Sequence, residues 1–296
     1  MSIYQKWFLA TRPWSFTMTA VSVSVGSVMG AMDGRFSWPL YLITVAGVIF
    51  MHGAANLLND YYDVLSGVDT LDVSTARYRP HPLAEGSLTL AEVLIEALCL
   101  FILAAFVGIF LAATRGWTIL ALALVGAFAG VFYTAPPFRY KYKALGEISV
   151  FLMWGPLMVE GAYFVQRQTL NLDALWVSLP FGVLVALVLL ANNLRDTADD
   201  RGKGIRTLSI MTGPRKGIWI YVTLVVCAYV SVVVMAFTGP LNPWSLVVLI
   251  SLPLFFNLLR QMISTPPLDA DAQTAKLNTA FGILLLISLL IGRLTG

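Results

Sequence analysis

The sequence is short of everything a water-soluble domain needs on its surface. Charged residues fill only 12% of its 296 positions, about half of the roughly 25% usual in soluble proteins. A chain this size cannot clothe a globule in water with so few polar groups. It has two histidines, His52 and His81, too few for a zinc or other transition-metal centre, which draws on imidazole and thiolate. Its two cysteines, Cys99 and Cys227, lie inside apolar runs. They read as small hydrophobes, and no disulfide is implied. Neither a Walker A loop nor GxGxxG occurs, which disfavours nucleotide binding, and no nucleic-acid partner is expected. The amphipathic start MSIYQKWFLATRP lacks the small-residue cleavage site of a secretory signal. No polar linker or low-complexity segment interrupts the chain, so residues 1–296 read as one integral-membrane domain.

What the chain does have is apolar length. Hydrophobic residues make up 58% of it and the mean hydropathy is +0.79. Nine runs are long enough to span, near 14–32, 38–58, 89–113, 117–134, 147–165, 174–193, 217–238, 242–260 and 276–294. Each approaches the roughly 20 residues a spanning helix requires. They are continuous, unlike the short alternating segments of a membrane β-barrel. The expected fold is an all-α bundle of about nine transmembrane helices. Thr89 with Glu92 three residues later has the form of a capping box at the third run.

The connections alternate. Those near 59–88, 135–146, 194–216 and 261–275 are long, and those near 33–37, 114–116, 166–173 and 239–241 are short. Together with residues 1–13 and with Arg260 and Lys276 flanking the last loop, the long side holds 15 of the 19 basic residues, leaving Arg35, Arg115, Arg167 and Arg293 on the other. The positive-inside rule then puts the N-terminus and long loops in the cytoplasm, and nine spans put the C-terminus outside.

One polar motif recurs. Asn-Leu-Leu-Asn-Asp (56–60) and Asn-Asn-Leu-Arg-Asp (192–196) both close an even-numbered run and share Asn-x3-Asp. The first continues to Asp63 and Asp69, the second to Asp199 and Asp200. Asn56, Asn59, Asp60 and Asp63 are spaced three and four apart, so on a helix they form one stripe. Carboxylates gathered at a membrane boundary repel one another unless a cation offsets them. Carboxylate and amide oxygens suit a hard cation, and Mg²⁺ in particular binds through one or two carboxylates plus a substrate's phosphates. Basic residues surround the motifs: Arg77 and Arg79, then Arg139, Lys141 and Lys143, then Arg195, Arg201, Lys203 and Arg206. Lys143, Arg215 and Lys216 are explained by the positive-inside rule alone. Mg²⁺ with Arg and Lys describes a site for a polyphosphate. A cation transporter is the competing class. It would carry its ionisable groups near the midplane, whereas here they sit at one edge beside basic residues that repel a transported cation.

NDYYDVLSGVDT and NNLRDTADDRGKGIRTL resemble the two aspartate motifs of the UbiA superfamily of intramembrane prenyltransferases, and the likeness extends over nearly the whole chain. Within the family, LNDYYDVLSGVDT, YTAPPFRYKYKALGEISVFLMWGPLMVEGAYFVQ and the second motif most resemble the branch acting on 1,4-dihydroxy-2-naphthoate in menaquinone synthesis. Asp69 lies six residues after Asp63, where many 4-hydroxybenzoate enzymes use four.

The resemblance implies a helical bundle around a central cavity in a prokaryotic cytoplasmic membrane, capped from the cytoplasm and open sideways to lipid. It implies Mg²⁺-dependent transfer of a polyprenyl group from polyprenyl diphosphate to the naphthoate, releasing CO₂ and diphosphate and giving demethylmenaquinone. Other acceptors within the family are 4-hydroxybenzoate, another quinone precursor or a glyceryl phosphate. On this reading Asn56, Asp60 and Asp63 hold one Mg²⁺ and Asn192, Asp196 and Asp200 a second. Arg79, Lys203 and Arg206 bind the diphosphate. Arg139 or Lys141 holds the acceptor carboxylate, and the Tyr133 and Tyr140 rings face the allylic cation.

Other residues have plainer explanations beside functional ones. Glu160 is a carboxylate within a run, which by default marks function, and equally fits a paired position at the outer boundary. His52 fits a hydrogen bond to a neighbouring helix. Arg12 fits a snorkelling helix entry as well as a cavity contact. Trp7, Trp14, Trp38 and Trp117 fit an interfacial belt.

Overall fold

A computed structural model describes residues 2–34, 36–68, 78–202 and 204–295, Thr295 by its backbone alone. Asp69, Arg77 and Lys203, singled out above, lie outside the described residues, as does Arg35. Among the described residues there is no strand beyond one isolated bridge between Lys143 and Arg206. The helices are α1 (Ile3–Ala10), α2 (Phe16–Met32), α3 (Trp38–Leu65), α4 (Leu90–Arg115), α5 (Thr118–Phe132), α6 (Gly146–Leu152), α7 (Met158–Arg167), α8 (Leu172–Arg195), α9 (Thr197–Arg201), α10 (Leu208–Thr212), α11 (Pro214–Thr238), α12 (Leu252–Ser264) and α13 (Ala270–Thr295).

Eight stretches are long and apolar enough to cross a membrane, and the 15-residue α5 is a shorter ninth. This is the expected multi-span bundle. Two of the runs are not uniform helices. α6 and α7 form one span through a π-helical turn, Met153–Leu157, which contains Pro156. Proline cannot supply the amide for a regular ladder, and a wider turn absorbs the defect. The run at 242–260 begins as a 3₁₀ segment, Pro243–Ser251, and turns α-helical only at Leu252. The capping box at Thr89 and Glu92 forms, with Thr89 Oγ1 accepting the Glu92 amide.

α8 is the central helix. Val177, Phe181, Leu184, Leu187 and Leu190 are almost wholly buried on it, and it packs on α6, α11 and α13. Close approach depends on glycine here. A Cβ on Gly182 would stand 2.8 Å from the Gly155 Cα, and one on Gly26 of α2 would stand 2.0 Å from the Val159 carbonyl of α7. Small residues let backbones meet in this way where lipid offers no hydrophobic drive for association. α4 shows the opposite face. Ile95, Leu98, Ile102, Phe106 and Ile109 recur at helical spacing and are exposed, as a lipid-facing stripe requires. The polar groups lie inside: Asn59, Asp60, Asp63, Asn193 and Asp271 are all buried.

Candidate active site

α3 does not stop where its apolar run ends. It continues through the first motif to Leu65, so Asn56, Asn59, Asp60 and Asp63 do form a helical stripe. α8 ends at Arg195, Asp196 sits at its C-cap, and α9 restarts at Thr197. Both motifs line one chamber of about 300 Å³, shared with Arg12, Trp14, Arg79, Tyr133, Tyr140, Lys141 and Tyr142. A second, almost wholly apolar cavity of about 180 Å³ lies between α3, α4, α5 and α7. The two share His52, Ala55, Gly130, Met153 and Trp154 in their walls. A polar chamber and an apolar arm thus meet at one elbow.

The buried carboxylates are matched by cations. Arg12 pairs with Asp60. Lys141 Nζ lies 2.5 Å from Asp63 Oδ2 and 3.0 Å from Asn59 Oδ1, and Tyr142 donates to Asp63 Oδ1. Arg195 binds Asp196 through both oxygens, at 2.8 and 2.7 Å, and Asn192 donates to the same carboxylate at 3.2 Å. Uncompensated, such charges would be costly to bury. Each is therefore held by a partner that a stronger cation must displace or share.

A second group closes the chamber from the side of the long connections. Asp271, at the start of α13, accepts from Arg195 at 2.8 Å, from Tyr78 at 2.5 Å and from Arg79 at 3.1 Å. The Arg79 guanidinium lies 5.3 Å from the Trp14 ring centroid and 4.8 Å from that of Tyr78, within cation–π range. Burial, reinforced by the Asp271 charge, pushes the Tyr78 phenol up. Burial does the same for Tyr142, against the pull of Lys141. Both phenols therefore stay protonated donors at neutral pH.

Of the residues singled out above, Asn56, Asp60, Asp63, Asn192, Asp196, Asp200, Arg79, Tyr133, Tyr140 and Lys141 line the chamber. Arg139 and Arg206 do not. Arg139 is exposed, at a left-handed turn with φ 45°, and this turn sends Tyr140 and Lys141 inward in its place. Arg206 is also exposed. Its backbone bridges to Tyr142 and Ala144 at 3.1 and 2.9 Å, and its neighbours Ile205 and Thr207 take the chamber wall. Along an extended bridge, side chains alternate, so one set excludes the other. Trp14, read above as a belt residue, also lines the chamber, with the Arg79 guanidinium over its ring. Arg12 proves a chamber residue. Tyr142 and Asp271 escaped the sequence reading because an acid in a helix's first turn and a tyrosine in a loop are ordinary. Glu160 lies at the opposite end of the bundle, accepting the Asn171 amide at 3.2 Å beside the Asp33–Tyr163 pair, which favours the boundary reading.

Residues 19–288 match the model of the UbiA prenyltransferase family. The chain is 29% identical over 290 residues to the 1,4-dihydroxy-2-naphthoate octaprenyltransferase of Bacillus subtilis, covering 95% of this chain and 91% of that one. It is 31% identical over 294 residues to UbiA prenyltransferase domain-containing protein 1 of Mus musculus, covering 96% and 83%. A UbiA homolog from Aeropyrum pernix K1 superposes with a TM-score of 0.72 at 16% identity, over 94% of this chain and 97% of that one. Another, from Archaeoglobus fulgidus and bound to GPP and Mg²⁺, gives 0.62 at 15%, over 95% and 99%. With both aspartate motifs on one chamber inside a multi-span bundle, this chain belongs to the UbiA prenyltransferase family of membrane proteins.

Proposed function

We propose that the protein transfers a polyprenyl group from polyprenyl diphosphate to 1,4-dihydroxy-2-naphthoate, with Mg²⁺ as cofactor and with loss of diphosphate and CO₂. The observation that carries this reading is the junction of two unlike spaces, one lined by carboxylates, amides and cations and the other apolar. An amphiphile with a charged head and an isoprenoid tail needs such a pair. The naphthoate acceptor is supported by the likeness to the Bacillus subtilis enzyme.

The donor set fits Mg²⁺. Among the described residues no three His, Cys, Asp or Glu side chains form a preassembled cage, and Mg²⁺ characteristically relies on few carboxylates, water and substrate phosphates. Asn56, Asp60 and Asp63 would hold one ion and Asn192, Asp196 and Asp200 another. When bound, Mg²⁺ neutralises charge on the departing diphosphate. Arg79, from the rim, and Lys203 would pair with the same oxygens. Arg206 drops out of that set, and Arg139 out of the acceptor set.

The allylic C–O bond breaks and its electron pair leaves with the diphosphate. The Tyr133 and Tyr140 rings face the resulting cation, and the apolar walls keep water from it. The ring carbon bearing the carboxylate attacks, forming the C–C bond. That carbon holds no proton to lose, so aromaticity returns when the C–CO₂ bond breaks and its electrons flow back into the ring. Lys141 orients the acceptor carboxylate and need not donate a proton.

On this reading the described chain acts as one catalytic unit. Its N-terminus and chamber face the cytoplasm of a prokaryotic cell, and its C-terminus lies outside. The decisive assay supplies carboxyl-labelled acceptor to purified protein and counts released label against prenylated product. Stoichiometric release is expected. A product that keeps its carboxylate, or a preference for 4-hydroxybenzoate, would reassign the acceptor.

A further inference from the structure

A chain of hydrogen bonds runs through the elbow between chamber and arm, and elementary donor and acceptor chemistry settles its direction. Ser15 Oγ lies 2.7 Å from the Arg12 carbonyl. A carbonyl only accepts, so the single Ser15 proton points there. Asn56 Nδ2 lies 2.9 Å from the Thr11 carbonyl and 3.2 Å from Ser15 Oγ, and both of its protons are donated. His52 Nε2 is 3.2 Å from the same Oγ and must also donate to it. At the other ring nitrogen, Thr19 Oγ1 stands 2.8 Å from Nδ1. The other contact of Thr19 Oγ1 is the Trp154 indole N–H at 3.1 Å, which only donates, so Nδ1 is the acceptor that takes the Thr19 hydroxyl proton. His52 is therefore the neutral Nε2–H tautomer. Its ring is wedged edge-on between Phe16 and Trp154, at 5.4 and 4.9 Å. Both nitrogens are engaged, so it is not placed to take a proton from a substrate.

The consequence falls on Asn56. With Nδ2 held twice, Oδ1 is the atom its amide has left for a cation. Released, the amide is free to flip and offer N–H groups that repel one. Ser15 also ties the carbonyl of Arg12, which is held in the left-handed conformation at φ 57°, ψ 58° with its side chain on Asp60. We propose that His52 is a positioning residue which, through Ser15, fixes the Asn56 amide for metal binding. This rests on the Mg²⁺ reading above. Partners of this kind behind a ligand commonly change metal affinity by about 10–100-fold.

The test titrates Mn²⁺, as a paramagnetic stand-in for Mg²⁺, into purified protein with inorganic pyrophosphate, reading free Mn²⁺ by EPR. His52→Leu should raise the Mn²⁺ midpoint about tenfold or more. His52→Gln keeps a donor toward Ser15 and should stay close to wild type. His52→Asn keeps only the Thr19 contact and should resemble His52→Leu. Ser15→Ala should reproduce the loss, and Ser15→Ala combined with His52→Leu should add nothing further, as for two links of one chain. Should His52→Leu fail to give monodisperse protein, the smaller Ser15→Ala change carries the test. Wild-type affinity in Ser15→Ala and His52→Leu, or a His52→Gln as weak as His52→Leu, overturns the positioning role. A wild-type protein that takes up no Mn²⁺ with pyrophosphate overturns the metal reading and this role together.

Discussion

The two aspartate motifs share Asn-x3-Asp but are built differently. The first lies within an unbroken helix, and its carboxylates are held by side chains far away in sequence: Asp60 by Arg12, and Asp63 by Lys141 and the Tyr142 hydroxyl. The Asp63 side chain is 1% exposed and that of Asp60 6%. The second lies where α8 breaks into α9, and Asp196 is held by its own neighbour Arg195 and by Asn192, one turn earlier. Its side chain is 13% exposed. One site is therefore tertiary and dry, the other largely local and wetter. The same motif should respond to substitution in two different ways.

The sharpest break of this comparison is Asp63→Ala against Asp196→Ala. Both should lower transfer by about 10²–10³-fold, the usual loss when a group that stabilises developing charge is removed. Only Asp63→Ala should also destabilise the fold, by about 1–3 kcal/mol, because it takes the carboxylate from Lys141, which keeps Asn59, and from the Tyr142 hydroxyl. Asp196→Ala leaves Arg195 still paired with Asp271. Thermal unfolding in detergent beside a transfer assay separates the two, and equal melting temperatures would erase the distinction between a dry and a wet motif. Asp60→Ala should lose transfer similarly, with Arg12, 31% exposed at its side chain, turning to water.

Lys141→Ala comes next. It should raise the acceptor KM about tenfold, as expected for a lost hydrogen bond to a charged group, with a smaller change for the prenyl diphosphate. Equal effects on both substrates would move Lys141 from the acceptor to the diphosphate.

A double-mutant cycle then probes the assembly itself. Asp63 and Lys141 should couple by about 1–3 kcal/mol, as charges in one network do. The Arg195–Asp196 pair should show less in stability, since backbone adjacency holds both residues near each other in the unfolded chain as well. The smallest effects belong to Arg139→Ala and Arg206→Ala. Each is exposed outside the chamber, and transfer should stay within about twofold of wild type, in keeping with surface substitutions worth under about 0.5 kcal/mol. A large loss from Arg206→Ala would mean that its loop turns inward around substrate.

The first motif was legible as a stripe because helical periodicity needs no tertiary information. Asn56, Asn59, Asp60 and Asp63 share a face of any helix that contains them. The second was legible as a composition and not as a geometry, since the α8–α9 break has no signal beyond the aspartates themselves. Arg139 and Lys141 look alike in sequence, two residues apart among basic neighbours. The left-handed turn at Arg139 decided between them, and such a turn depends on how the loop is anchored to the bundle. Trp14 was read as an interfacial belt residue for the same reason: a tryptophan at the end of a span is ambiguous until the facing residue, here Arg79, is known.

By itself the sequence determined that the chain holds about nine apolar runs, that its basic residues gather in alternate connections, and that two polar motifs sit at the ends of such runs. These follow from local quantities, namely run length, helical period and the cost of burying charge in hydrocarbon, and no packing arrangement alters them. Only the tertiary structure decided which cation meets which carboxylate, that Lys141 and not Arg139 turns inward, and that Asp271, more than 200 positions from the first motif, closes the chamber with Arg79 and Arg195. Those pairings depend on how α3, α8 and α13 are brought side by side. That is a property of close-packed surfaces such as Gly155 against Gly182, and the spacing of residues along the chain carries no record of it.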